Sequence, residues 1–156
     1  MSEVGKGTEK SARDWEQLAL TDHYRTAVVI REALREGDVE DATQGLEELI
    51  DALSRSEERA LESHLTRLMQ HVIKWQVQPE NRSPSWVYTI REQRRQIRKL
   101  QRRYPRFTDR RIVEALWDDC LAGGVNEAGK DMNQEMINPP TLSWQDVFET
   151  NYDVES

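Results

Sequence analysis

Glu57, His64 and His71 are ionisable side chains spaced seven residues apart in one stretch. At about 100° per residue, a helix sets all three, with Trp75, along the centre of one apolar face made by Leu46, Ile50, Leu53, Ala60, Leu61 and Leu68. A carboxylate and two imidazoles on one line could move protons or bind a metal. The spacing limits the second option. Seven residues advance about 10.5 Å along a helix, whereas a metal holds its nitrogen and oxygen ligands at about 2.0–2.2 Å. The three cannot share one ion, and each would need help from another element, with Tyr24, Arg25, Asp118 and Asp119 as candidates. The alternative is a buried hydrogen-bond network that fixes helix register, since such networks perturb pKa values as active sites do. This second reading is preferred, and no catalytic residue, metal ligand or cofactor is assigned.

A second constellation is basic. Between Trp86 and Arg111 ten Lys and Arg residues face only Glu92 and Asp109, a local charge of +8 in a chain of net charge -7. Trp86, Ile90, Ile97, Leu100 and Tyr104 form an apolar stripe there, and Arg91, Arg94, Arg95, Arg98, Lys99, Arg102 and Arg103 are expected on the opposite, solvent-facing side. Guanidinium groups at helical spacing suit carboxylate or phosphate partners. An acidic protein is the preferred partner and nucleic acid the alternative, because overall negative charge opposes long-range attraction to DNA. A third outcome is pairing with the chain's own acids, dense in residues 38–62 and 126–156.

The elements that position these side chains are all helices. No run of alternating β-branched residues occurs, and the fold expected is an all-α bundle of about four main helices with a long second helix. Trp15, Leu18 and Leu20 are expected to dock as an irregular arm, followed by a helix from about Asp22 to Glu36 carrying Tyr24, Ala27, Val28, Ile30, Ala33 and Leu34. Gly37 ends it and Asp38 caps the long helix, Val39 to Val77, in which Gly45 costs about 1 kcal/mol relative to Ala. Residues 79–82 form a loop, and Ser83-Pro84 opens a third helix that Tyr104-Pro105 closes. Thr108 caps a fourth helix to about Leu121, which Gly123-Gly124 ends. Residues 124–142 carry no clear pattern, and a short docked turn follows at Ser143 to Phe148, anchored by Trp144 and Phe148.

The 156 residues are expected to form a single domain over 14–150 between flexible ends at 1–13 and 151–156. A lone Cys120 closes no internal disulfide, and its neighbours Asp118 and Asp119 raise rather than lower a thiol pKa, so it is expected to be buried or idle. The longest aliphatic run, Ala27 to Ile30, falls far short of the ~20 residues of a membrane span, and a cytoplasmic setting without membrane contact is expected. There is no glycine-rich phosphate loop, CxxC pair or HExxH motif, and Glu47-Glu48 and Glu57-Glu58 are splayed as sequence neighbours rather than facing each other.

One set of residues is distinctive in combination: Leu53 to Glu57, Ala60 to Leu65, Leu68, His71, Lys74-Trp75-Gln76, Gln78-Pro79, Arg82-Ser83, Ser85-Trp86, Thr89-Ile90, Gln93-Arg94 and Ile97. It resembles the signature of a bacterial family, abundant in cyanobacteria, catalogued as domain of unknown function number twenty-nine. The similarity extends more thinly from Asp22-His23-Tyr24 to the segment from Pro140 to Val147. The chain departs from that pattern at Thr26, Gly45, Leu49 and Gly123-Gly124. The resemblance implies an all-helical bacterial protein and no particular activity. Together these observations point to a non-catalytic interaction module using its third helix, with an enzyme built on Glu57, His64 and His71 as the rival and self-association left open.

Overall fold

The computed structural model describes residues 13–155, and among these it contains helices and no strand. The expected flexible start lies, except for Arg13, outside the described residues. The described residues gather into two compact units, residues 13–58 and residues from Arg59. The buried apolar side chains form two separate clusters accordingly. The long helix supplies both clusters, but buries small residues near its start and large ones further on.

The first unit contains α1 (Trp15–Thr21), α2 (His23–Arg35) and the beginning of α3 (Val39–Val77). Asp14 and Asp22 cap the first two helices by accepting from the amides of Gln17 and Arg25, leaving Asp22 as the joint between them. The expected irregular arm is therefore a helix, because its first turn is capped. Gly37, at φ 82°, reverses the chain, and Asp38 accepts from the Asp41 amide to start α3. The core is Trp15, Ile30, Ala33, Ala42 and Leu49. Buried Thr26 satisfies its hydroxyl by donating to the Asp22 carbonyl, 2.7 Å away.

The face expected to be apolar and buried at the start of α3 is not the buried one: Leu46, Ile50 and Leu53 are exposed, as are Leu20, Tyr24 and Leu34. The reason is Trp15. Its ring lies against Gly45, where a Cβ would stand 2.6 Å from the nearest ring carbon, and the helix buries Ala42, Gly45, Leu49 and Ala52 instead. The Trp15 indole donates to Asp41 at 2.8 Å, and Arg13 pairs with the same carboxylate at 2.5 Å. Asp41 is thus not merely a first-turn acid near the helix dipole but a buried anchor, 2% exposed.

The second unit contains the rest of α3, a 3-10 turn at Pro79–Asn81, α4 (Pro84–Arg103) and α5 (residues 109–132). The bounds of α3 and α4 are those the punctuation predicts, with Ser83 capping α4 and Tyr104 closing it. On α4 the deepest positions are Val87, Ile90 and Ile97; Trp86 is half-buried rather than covered, its ring lying 4.9 Å from the Lys74 ammonium.

Thr108 caps α5 as expected, but the helix passes a π turn at Ile112–Leu116, runs through Gly123-Gly124 and ends at Asn133, whose φ is 53°. These glycines do not terminate the helix; they let it approach α3. A Cβ on Gly124 would sit 3.1 Å from both the Gln70 amide nitrogen and Met69 Cβ. The docked turn at the end is a π-helical turn, Gln145–Glu149, entered by reciprocal bonds between Ser143 and Asp146. Beyond it, Tyr152, expected in a loose end, is buried with its ring edge-on to Trp75 at 5.4 Å. No helix among the described residues is long and apolar enough to cross a membrane.

Candidate functional site

The two histidines of the polar line have separate partners. His64 is half-buried, its Nδ1 2.5 Å from the side-chain oxygen of Gln93 on α4. His71 is buried and its Nδ1 lies 2.9 Å from the Arg67 carbonyl one turn back. Since a carbonyl only accepts, that Nδ1 carries the proton. Burial is the largest influence on His71 and pushes its pKa below the usual histidine range, with Lys74 and Arg67 adding to the effect. A neutral imidazole that uses one nitrogen on its own helix is a register element of the kind the network reading describes. Glu57 is half-buried on the same helix. The proposed helpers Tyr24, Arg25, Asp118 and Asp119 are all exposed, and among the described residues no three His, Cys, Asp or Glu side chains are grouped to hold a metal.

A contact not anticipated from the sequence lies beside His71. Asp131 of α5 accepts from Gln70 at 2.6 Å and pairs with Lys74 at 3.0 Å, and the Lys74 bond, with that of Gln70, holds its carboxyl below the ordinary range. The only sequence signal was a Lys near one helix end and an acid in a stretch without pattern. Arg82 likewise donates to the Trp75 carbonyl at 3.0 Å while its guanidinium covers the Trp75 ring. These charges tie elements together.

The α4 arginines divide into two sets. Arg94 and Arg98, expected on the solvent side, face inward instead. Arg94 is half-buried and donates to the carbonyls of Val147 at 2.7 Å and Asp146 at 3.3 Å. The same Asp146 carbonyl accepts from the Tyr152 hydroxyl at 2.7 Å. Arg98 lies over the Phe148 ring at 4.8 Å and pairs with Asp109 at 2.8 Å. Both sit at the edge of the apolar stripe, where the terminal turn docks. Arg91, Arg95, Lys99, Arg102 and Arg103 are exposed. Arg95 is bonded to Glu92, whose pKa that bond, with one from Gln96, lowers to about 2. Arg91, Lys99 and Arg102 have no carboxylate partner among the described residues. Tyr88 is exposed one turn before Arg91, extending the line.

Cys120 is buried and its thiol donates weakly to the Glu62 carbonyl at 3.6 Å. Burial, aided by Glu62 and Asp119, pushes the thiol pKa up, the opposite of what a nucleophile requires. Two surface cavities, of about 590 and 300 Å³, are lined by residues of α5 and the segment after it, and neither is lined by His64, His71 or Cys120. Among the surfaces the second unit presents to solvent is the cationic edge of α4.

Comparison with curated proteins and with solved structures found no match. A family model matches residues 21–152, so the part compared covers both units. The chain belongs to the family described as domain of unknown function DUF29.

Proposed function

We propose that this protein is a non-catalytic interaction module whose α4 holds an acidic protein partner. The observation that carries the reading is the line Tyr88, Arg91, Arg95, Lys99 and Arg102, all exposed on one side of a helix fixed to its own unit by Arg94 and Arg98. From Arg91 to Arg102 the line spans about 16 Å, enough to meet several carboxylates on a complementary surface. Arg and Tyr are also the residue types that concentrate binding energy at protein interfaces. A protein partner is favoured over nucleic acid because the net charge of -7 works against attraction to a polyanion.

The test compares the native chain with a variant carrying Arg91→Glu, Lys99→Glu and Arg102→Glu, three substitutions on exposed positions. An Asp/Glu-rich peptide and a mixed-sequence DNA duplex serve as probes at about 150 mM salt, where charges screen over about 8 Å. The peptide should bind the native chain and lose affinity for the variant, while the duplex binds weakly to both. Micromolar duplex affinity lost in the variant would transfer the proposal to nucleic acid, with log affinity falling by about 0.9 per phosphate contact for each unit of log salt.

A further inference from the structure

The first unit has a helix surface that none of its described residues covers. On α2 it carries Tyr24, Ala27 and Leu34, and on α3 Val39, Leu46, Ile50 and Leu53; the six large side chains among them are 39 to 81% exposed. On each helix these positions lie about 100° around from the buried line, which is Thr26, Ile30 and Ala33 on α2 and Ala42, Gly45, Leu49 and Ala52 on α3. The chain reverses at Gly37, and for antiparallel helices those two rotations lead to the same side of the hairpin. Trp15 of α1 packs against Gly45, in that buried line and not over the exposed side chains. The uncovered apolar area is on the order of 600 Å², the upper end of what a lone chain exposes in one patch, and approaches the roughly 800 Å² that each partner buries in a standard interface.

We infer that this face closes on the same face of a second copy of the chain. The charges bordering it decide the occupant. The outer edge of α3 carries Glu47 and Asp51, and the outer edge of α2 carries Arg31 and Arg35, all exposed. A two-fold axis running along the hairpin lays α3 of one copy against α2 of the other, so that an acidic edge meets a basic edge twice. An axis across the hairpin would stack α3 on α3 and set like charges together. The first arrangement is self-complementary, and it completes two helix pairs into a four-helix bundle around the six exposed side chains of each copy.

Sedimentation equilibrium of the full chain tests this. The native protein should show twice its chain mass at micromolar concentration. Ile50→Glu should raise the dissociation constant by about a hundredfold, the consequence of leaving a charge buried without a partner, while the helical circular dichroism is kept. Should Ile50→Glu fail to fold, the surface charges remain as a test. Glu47→Arg should weaken the dimer about tenfold and adding Arg31→Glu should restore it, as complementary interface charges do. A chain that stays monomeric at near-millimolar concentration overturns the inference, as does a dimer indifferent to both Ile50→Glu and Glu47→Arg.

Discussion

Gly45→Ala sets helix propensity against packing. In an exposed helix interior the change should stabilise by about 1 kcal/mol, because Gly loses more backbone freedom on folding. In this chain the added methyl would stand 2.6 to 2.8 Å from three carbons of the Trp15 ring. The ring is not the free end of a flexible side chain, since its indole nitrogen donates at 2.8 Å to Asp41, which Arg13 also grips. Overpacking costs about 1–3 kcal/mol and a strained hydrogen bond to a charged acceptor up to about 1.5–3 kcal/mol. Set against the propensity gain, the net expectation is a loss of about 2 kcal/mol. Urea unfolding followed by far-UV circular dichroism reads the sign. Hydrogen exchange of peptides within residues 13–58 reads the location, with protection falling about thirtyfold there and little in the second unit. Trp15→Leu should relieve the clash, making the double variant less destabilised than the sum of the singles. A Gly45→Ala chain with a raised urea midpoint would falsify this account of why the first unit buries the face it does.

The remaining expectations concern the second unit. Gly124→Ala should destabilise by about 1–2 kcal/mol, because the methyl meets α3 backbone at 3.1 Å, whereas Gly123→Ala meets only a Thr66 methyl at 3.2 Å and should be close to neutral. Paired urea titrations would expose the contrast. Burial depresses the His71 pKa in the folded chain, so the unfolded chain binds the proton more readily; stability is full above about pH 6.5 and falls as pH drops below it. His71→Gln should flatten that acid limb, and an unchanged limb would place its origin elsewhere. Arg94→Ala, which removes the donors to Val147 and Asp146, should cost about 2 kcal/mol and open residues 143–152 to proteolysis, with Arg94→Lys a poor substitute because it lacks the planar fork.

Much of this architecture was legible in the sequence because local chemistry specified it. Asp38, Ser83 and Thr108 are capping residues whose side chains do cap, and Tyr104-Pro105 leaves α4 no continuation. Position was harder to read than element. Helical rotation identifies which residues share a face, but not which face another element will cover. At Leu46, Ile50 and Leu53 the apolar line was read correctly as a line and wrongly as buried, because the decision belonged to Trp15, thirty residues before Gly45. Gly123-Gly124 was misread for a related reason. A glycine pair looks alike whether it ends a helix or admits a neighbouring one, and the neighbour, Met69 and Gln70, is more than fifty residues away. The polar line of His64 and His71 could be proposed from spacing alone, but their partners, Gln93 and the Arg67 carbonyl, carry no sequence mark.

The arginines of α4 show how that difference reaches function. Seven cations cover roughly half the circumference of a helix, and sequence treats them as one face. Two of them, Arg94 and Arg98, stand on the edge nearest the core and spend their donors on the terminal turn and Asp109. Substituting these two would loosen residues 143–152 and could weaken any partner by unfolding the unit, an effect indistinguishable from loss of a contact. Arg91, Lys99 and Arg102 lack that ambiguity, because no carboxylate among the described residues holds them. Binding lost with these three while the urea midpoint is unchanged identifies a contact surface. Binding lost only with Arg94 and Arg98, in step with the midpoint, would mean that the basic run serves the fold and that the proposed face does not exist.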